Sequence, residues 1–212
     1  MYRLFAREVC HMKKAKIAVL VSGGGTNLQA LIDAAGRGEL PHGEFTVVIS
    51  SKPGVFALER AQKAGIDTCV IERKSFPDKS SFEAELLKKL REYNIDMIIL
   101  AGFMLVLSAD FVKNFPDRII NVHPALIPSF CGDGFYGLHV HEAALSYGVK
   151  VTGATVHFVN EVTDGGKIIL QKAVDIQEGD TPETLQKRVM EQAEWIILPK
   201  AAEMVAKKLS EG

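Results

Sequence analysis

The chain has 212 residues, is 47% hydrophobic and 24% charged, and carries a formal net charge of −1. That is enough length and apolar content for one large domain with a real core, or for two small ones. The near-neutral balance gives no electrostatic case for nucleic acid or an anionic membrane surface, whereas a small phosphorylated ligand needs only a local pocket.

Apolar runs and amphipathic stretches alternate along the chain. Residues 16–22, KIAVLVS, form a short β-branched run of the kind buried on both faces of a sheet. The loop SGGGTN follows, then LQALIDAAGRG, helical in period and closed by Gly36 and Gly38. Residues 44–51 read as a second strand, 55–65 as a helix stopped at Gly65, and 67–72 as a short strand. Residues 78–94 make an amphipathic helix capped by Asp78 or Ser80, and 95–102 a continuous apolar strand. A helix near 108–116, the strand RIINVH, a long loop and a helix over 137–148 come next. This rhythm calls for an α/β fold: an open, twisted, mostly parallel sheet with helices on both faces. Residues 151–161 and 166–176, separated by a turn containing TDGG, read as an added antiparallel hairpin. A last helix over 182–209 starts at Asp180 or Thr181 and is expected to break at Pro199.

Cys10, Cys69 and Cys131 are scattered, odd in number and contain no C-x-x-C pair. They support neither a zinc site nor a disulfide framework, so a reducing cytoplasm is the expected setting. No apolar run approaches the roughly 18–20 residues of a membrane span. Charges interrupt the opening MYRLFAREVCHM, which therefore does not read as a signal peptide. His11-Met12 looks like a junction before a natural start at Met12. Residues 1–12 are expected to be an expression leader and residues 13–212 a single domain.

Two segments carry chemistry. Glycines in SGGGTN let main-chain N–H groups approach a phosphate, the helix start adds donors, and Thr26 and Asn27 add side chains. The bland reading is a tight turn. A dinucleotide fingerprint would need a third glycine where Leu28 stands and an acid at Ser50-Ser51, and a Walker A loop would need Gly-Lys-Ser/Thr. NAD and ATP are therefore disfavoured, and a mononucleotide-like phosphate fits better. The second segment is INVHPALIPSFCGDGFYGLHVH, residues 120–141. Asn121 and His123 lie two apart on a strand and so share a side, at the carboxyl edge where open sheets bind ligands. If the hairpin lies beside this strand, Asp164 can reach His123, and a carboxylate neighbour favours the imidazolium. The bland alternatives are a solvated strand-end histidine and an Asp-Gly-Gly that is only a turn. His139 and His141 do not share a helical face and are read as pocket lining or solvated; His157 could face either side. No metal cluster and no G-x-S-x-G elbow is evident. Residue chemistry alone stops at an acid–base enzyme acting on a small phosphorylated molecule.

The segments VLVSGGGTNLQALIDA, ILAGFMLVLS, IINVHPALIPSF, GATVHFVNEVTDGGKIILQ and RVMEQAEWIILP together resemble the phosphoribosylglycinamide formyltransferases, members of the folate-dependent formyltransferase family. The resemblance runs from about Lys16 to Pro199 and implies a Rossmann-like formyltransferase fold. It implies formyl transfer from 10-formyltetrahydrofolate to glycinamide ribonucleotide in purine biosynthesis, with these two small molecules as partners and no metal; a homodimer is allowed. It implies Asn121, His123 and Asp164 as the catalytic trio. Gly24, Gly25, Thr26 and Asn27 would hold the phosphate and Glu194 the ribose hydroxyls. Phe103, Met104, Leu105, Val106 and Leu107 would form the folate pocket, with residues 159–164, Val159 foremost, as its other wall. In that chemistry a neutral amine attacks the formyl carbon, Asn121 and a charged His123 stabilise the oxyanion, and Asp164 directs a proton-relaying water. Leu105 and Glu191 depart from common family residues, so neither is expected to contact ligand through a charge, and the loop 129–137 is longer than in the shortest relatives. Methionyl-tRNA formyltransferase and the folate deformylase share the core motif but normally carry a further domain, for which the thirteen residues after Pro199 and the fifteen before Lys16 leave little room. A non-catalytic nucleotide sensor is the reading from another class.

Overall fold

A computed structural model describes residues 13–211; the leader read at residues 1–12, Cys10 included, lies outside the described residues. Seven strands, β1 (Ala15–Val21), β2 (Gly43–Ser50), β3 (Asp67–Val70), β4 (Met97–Leu100), β5 (Ile119–His123), β6 (Val151–Phe158) and β7 (Ile168–Asp175), form one sheet. Their order is β3-β2-β1-β4-β5-β6-β7. The first five run parallel; β6 is antiparallel to β5, and β7 to β6. The mixed sheet and its C-terminal hairpin match the architecture read from the sequence.

The helices are α1 (Thr26–Gly36), α2 (Phe56–Lys63), α3 (Lys79–Glu92), α4 (Ala109–Val112), α5 (Leu138–Tyr147), α6 (Pro182–Val189) and α7 (Trp195–Glu211). Alternate strand residues feed two cores. Ile17, Val19, Val21, Val48, Ile99, Ile120 and Val122 pack with residues of α1, α2, α6 and α7, such as Leu28, Ala57, Val189 and Leu198. Ala18, Leu20, Val47, Ile49, Ile98 and Ile119 face the other way, against Phe82, Leu86 and Leu90 of α3 and Phe111 of α4. Strands covered on both faces explain the continuous apolar runs. No helix of the described residues is long and apolar enough to cross a membrane.

The final helix departs from expectation. Pro199 sits inside α7, and the interruption is instead a π segment at Met190–Glu194. The carbonyl that a helical residue 199 would bond belongs to Trp195, the first residue of α7, so the proline removes one bond at the edge of the π turn rather than within an established turn.

The glycine loop is shaped by packing as well as by ligand access. Gly25 is the N-cap of α1 with φ of 74°, and a Cβ there would lie 2.7 Å from the Cβ of Ala57 on α2. Around Gly23 and Gly24 the space is open. The third glycine therefore lets α2 approach α1, and the first two leave main chain uncovered. Gly25→Ala combines left-handed strain with overpacking and is expected to cost roughly 2–4 kcal/mol. Urea unfolding measures this; a loss near zero would show that α2 is not packed on the loop.

Candidate active site

Asn121 and His123 continue the row begun by Ile119, on the α3 face of the sheet, past the last apolar residue of that row. Antiparallel pairing sets Asn121 opposite His157 and His123 opposite Thr155. The connection from β6 to β7 then carries Asp164 over the strand end. Its Oδ2 lies 3.4 Å from His123 Nδ1 and its Oδ1 3.5 Å from His157 Nε2. Asp164 holds φ of 54°, a region aspartate tolerates better than most residues. A Cβ at Gly166 would fall 1.7 Å from the Phe158 carbonyl oxygen, so glycine alone lets this turn fold back onto β6.

The long loop 129–137 touches both ends of the His–Asp pair. His123 Nε2 donates to the Phe130 carbonyl at 2.8 Å, and the Gly132 amide donates to Asp164 Oδ2 at 3.0 Å. Asn121 Nδ2 points at His157 Nε2 across 3.4 Å, while His157 Nδ1 donates to the Phe158 carbonyl at 2.8 Å. Burial alone would raise the Asp164 carboxyl. His157, the Gly132 amide and the charge of His123 together hold it below its ordinary value. At 3.4–3.5 Å the histidine contacts are too long for tight hydrogen bonds, so their pull is electrostatic.

His123 corrects the expectation of a resting imidazolium. Burial pushes its pKa below the ordinary value, and Asp164 and the Phe130 carbonyl only partly offset this. Removing an imidazolium from water costs more here than one carboxylate at 3.4 Å returns. With the Nε2 proton committed to Phe130, the Nδ1 edge facing Asp164 is the one that titrates.

These side chains open onto a cavity of about 630 Å³. It is lined by Phe103, Met104, Leu105, Val106 and Leu107, and by Val159 and residues 160–164. Leu105 packs on the second core, and Met104, Val106 and Val162 form an exposed apolar rim. Thr26, Asn27 and Glu194 also line the cavity, whereas Gly24 and Gly25 do not. The first turn of α1 has no acidic residue and no side-chain cap, so its amides remain available to an anion. The Gly24 carbonyl accepts from Arg60 Nε at 3.0 Å. Asn27 Nδ2 donates to Glu194 Oε2 at 2.7 Å, and the buried Asn27 Oδ1 has no partner among the described residues. Burial raises the Glu194 carboxyl to about 7, against the opposing pull of Asn27. The π turn brings Met190 and Glu194 to the cavity together.

Other candidates fall outside. His139 is exposed and pairs with Glu142 at 2.9 Å. His141 is fully buried, and burial, then the nearness of His123, takes it to about 4. Neither lines the cavity. Glu191 is exposed, 3.9 Å from Lys187. The Cys131 thiol donates to the Pro128 carbonyl at 3.3 Å, and burial, then Asp164, pushes its pKa up. Among the described residues no three His, Cys, Asp or Glu side chains gather as a metal site. The residue left open by the sequence is His157: on β6 its side depends on where the antiparallel pairing begins.

A family model described as formyl transferase matches residues 15–201. This chain belongs to the formyl transferase family. The match runs from β1 into α7 and so covers every residue of the cavity. A trifunctional purine biosynthetic protein adenosine-3 from Bos taurus is 47% identical over 195 residues, 92% of this chain and 18% of that protein. A chloroplastic phosphoribosylglycinamide formyltransferase from Arabidopsis thaliana is 39% identical over 179 residues, 84% of this chain and 61% of that one. The chain thus spans under a fifth of the trifunctional relative and about three-fifths of the plant protein. The crystal structure of glycinamide ribonucleotide transformylase 1 from Symbiobacterium toebii superposes with a TM-score of 0.86 at 41% identity, covering 92% of this chain and 89% of that one. The phosphoribosylglycinamide formyltransferase from Brucella melitensis gives 0.83 at 40% identity, covering 94% and 97%.

Glu194 makes folding pH-dependent. Its native pKa lies above its ordinary value, so the native state holds an extra proton between about pH 4.5 and 7 and loses stability as pH rises through that window. Glu194→Gln keeps an acceptor for Asn27 and removes the titration. Compared with the parent, it should gain up to about 3 kcal/mol between pH 5 and pH 8, at about 1.4 kcal/mol per unit. Parallel urea-unfolding stabilities for the two proteins across that range would contradict the assignment.

Proposed function

We propose that the protein transfers a formyl group from 10-formyltetrahydrofolate to the primary amine of glycinamide ribonucleotide. The observation that carries this reading is the meeting of Asn121, His123 and Asp164 on one cavity whose ends differ in chemistry. One end offers the free amides of α1 with Asn27 and Glu194, suited to a sugar phosphate; the other offers an apolar wall with main-chain groups, suited to a flat heterocycle. The names of the solved relatives support glycinamide ribonucleotide as the acceptor of the formyl group.

The neutral amine attacks the formyl carbon, and the carbonyl electrons move to oxygen. Asn121 Nδ2 donates to that oxyanion. The new negative charge raises the pKa of His123, so a proton released by the attacking nitrogen is taken up at the Nδ1 edge beside Asp164. His123 is thus charged when the oxyanion forms rather than before. Collapse breaks the bond from carbon to the donor nitrogen, which receives the proton. The amine has lost one hydrogen and the leaving nitrogen has gained one. Asp164, held below its ordinary pKa by His157 and the Gly132 amide, stabilises the proton on His123 once it arrives. Thr26 and Asn27, with the Gly24–Gly25 main chain, fix the phosphate, and Glu194 accepts from the ribose hydroxyls. No enzyme nucleophile takes part.

Formyl transfer followed by folate absorbance, with and without glycinamide ribonucleotide, tests the proposal. Turnover should require the ribonucleotide. Donor hydrolysis without it would indicate a deformylase, transfer only to a charged tRNA the other formyltransferase, and binding without turnover a sensor. Asp164→Asn should lower kcat about 10²–10⁴-fold while leaving ribonucleotide affinity within a few-fold; equal losses in both would refute its role. Asn27→Ala should chiefly weaken ribonucleotide binding, and an unchanged affinity by calorimetry would remove it from the phosphate end.

A further inference from the structure

We propose that Ser22 is a positioning residue for the formyl donor, and that its hydroxyl ties the glycine loop to the apolar wall so that the two substrate ends of the cavity fill cooperatively. The inference rests on the functional reading above and extends it to a residue outside the cavity lining.

Ser22 closes β1 and begins the glycine loop. Its Oγ accepts from the Met104 amide at 3.1 Å and lies 2.7 Å from Ser51 Oγ, at the end of β2. Both serines are buried, at 5% and 8% exposure. Ser22 Oγ has a second lone pair and a hydrogen of its own, so either hydroxyl can donate in the contact with Ser51. Ser51 is anchored in turn, its amide donating to the Val21 carbonyl at 3.1 Å. One hydroxyl thus joins the carboxyl ends of two parallel strands to the segment after β4.

That segment has little else to hold it. Residues 102–107 are neither helix nor strand. Upstream, the Ala101 amide donates to the Leu20 carbonyl at 2.9 Å; downstream, the Ser108 amide donates to the buried Glu83 at 2.8 Å. Between them, among the described residues, Met104 is the only amide with a hydrogen-bond partner in the protein. The neighbouring main-chain groups are left to a ligand, and their placement depends on this tie. A substrate that orders the loop beginning at Gly23 orders Ser22, and through it the wall that receives the donor. Order paid for by one ligand is not paid again by the second, which is a coupling free energy.

The test uses the full-length protein, with initial rates for both substrates and calorimetric titration of a non-transferring folate analogue with and without glycinamide ribonucleotide. In the parent, bound ribonucleotide should tighten the analogue. Ser22→Ala leaves the Met104 amide unpaired and should weaken the analogue titrated alone about 10-fold, leave the affinity for the ribonucleotide titrated alone within about twofold, and abolish the coupling, which by reciprocity also raises the ribonucleotide KM at saturating donor. A merely structural serine would weaken both ligands titrated alone. That result, an unchanged affinity for the analogue alone, or coupling that survives in the variant would overturn the proposal. Should the variant fail to fold, amide hydrogen exchange on the parent decides: Met104 must exchange at least about 10-fold more slowly than Leu105 and Val106, and equal rates refute the tie. A parent that transfers no formyl group defeats the functional reading, while the exchange result still stands or falls by itself.

Discussion

The antiparallel register between β5 and β6 is the constraint on which the site depends. Parallel strands deliver their carboxyl ends to one edge, but a parallel neighbour of β5 would return its own loop at the same level and pointing the same way. By running backwards, β6 sets His157 beside Asn121 and lets the following connection fold over the strand end. Asp164 then arrives between two imidazoles, 3.4 and 3.5 Å away. A slip of one residue would turn Asn121 and His123 into the α1 and α7 core and present Ile120 and Val122 to the cavity instead. The apolar sorting that builds the two cores therefore also protects the polar row, because the slip would bury an amide and an imidazole among leucines and valines.

Electrostatics at this edge is a balance between burial and pairing. A half-exposed carboxylate would stay charged without help; Asp164 is enclosed, and His157, the Gly132 amide and, once it is protonated, His123 hold it below its ordinary value. For His123 burial outweighs the carboxylate and sets its pKa below the ordinary value. Such a pair is poised: little charge is stored before reaction, and the developing oxyanion supplies the missing attraction. Glu194 lies at the opposite extreme, buried with one amide donor and raised to about 7, so the end of the cavity suited to the ribose is tuned near neutrality. The same cavity thus holds one carboxyl kept ionised and another that resists ionisation, separated by their hydrogen-bond donors rather than by residue type.

Much of this was legible in the sequence because it is periodic or local. Apolar runs marked strands covered on both faces, and spacing by two put Asn121 and His123 on one side. The Asp-Gly-Gly turn was readable as well, since its glycines answer to steric demands, the close approach of Gly165 to Val162 and of Gly166 to Phe158. What escaped depends on distance and burial. The downward shift of His123 follows from its burial, which no local pattern announces. His157 has its side set by register, and a strand flanked by apolar residues on both faces does not declare it. The break at Met190–Glu194 was sought at Pro199, because proline is visible in a sequence and a π turn is not. The buried Ser22–Ser51 contact joins residues 29 apart, and only the adjacent ends of β1 and β2 bring them together.

The most direct test is a crystal structure of the protein with glycinamide ribonucleotide and a folate analogue whose formyl-equivalent carbon cannot be transferred. The account requires the oxygen on that carbon to lie about 3 Å from Asn121 Nδ2 and within reach of the His123 Nδ1 edge, with the amine on the opposite side of the carbon. An analogue bound with that carbon elsewhere in the cavity, and the trio contacting only solvent, would contradict it.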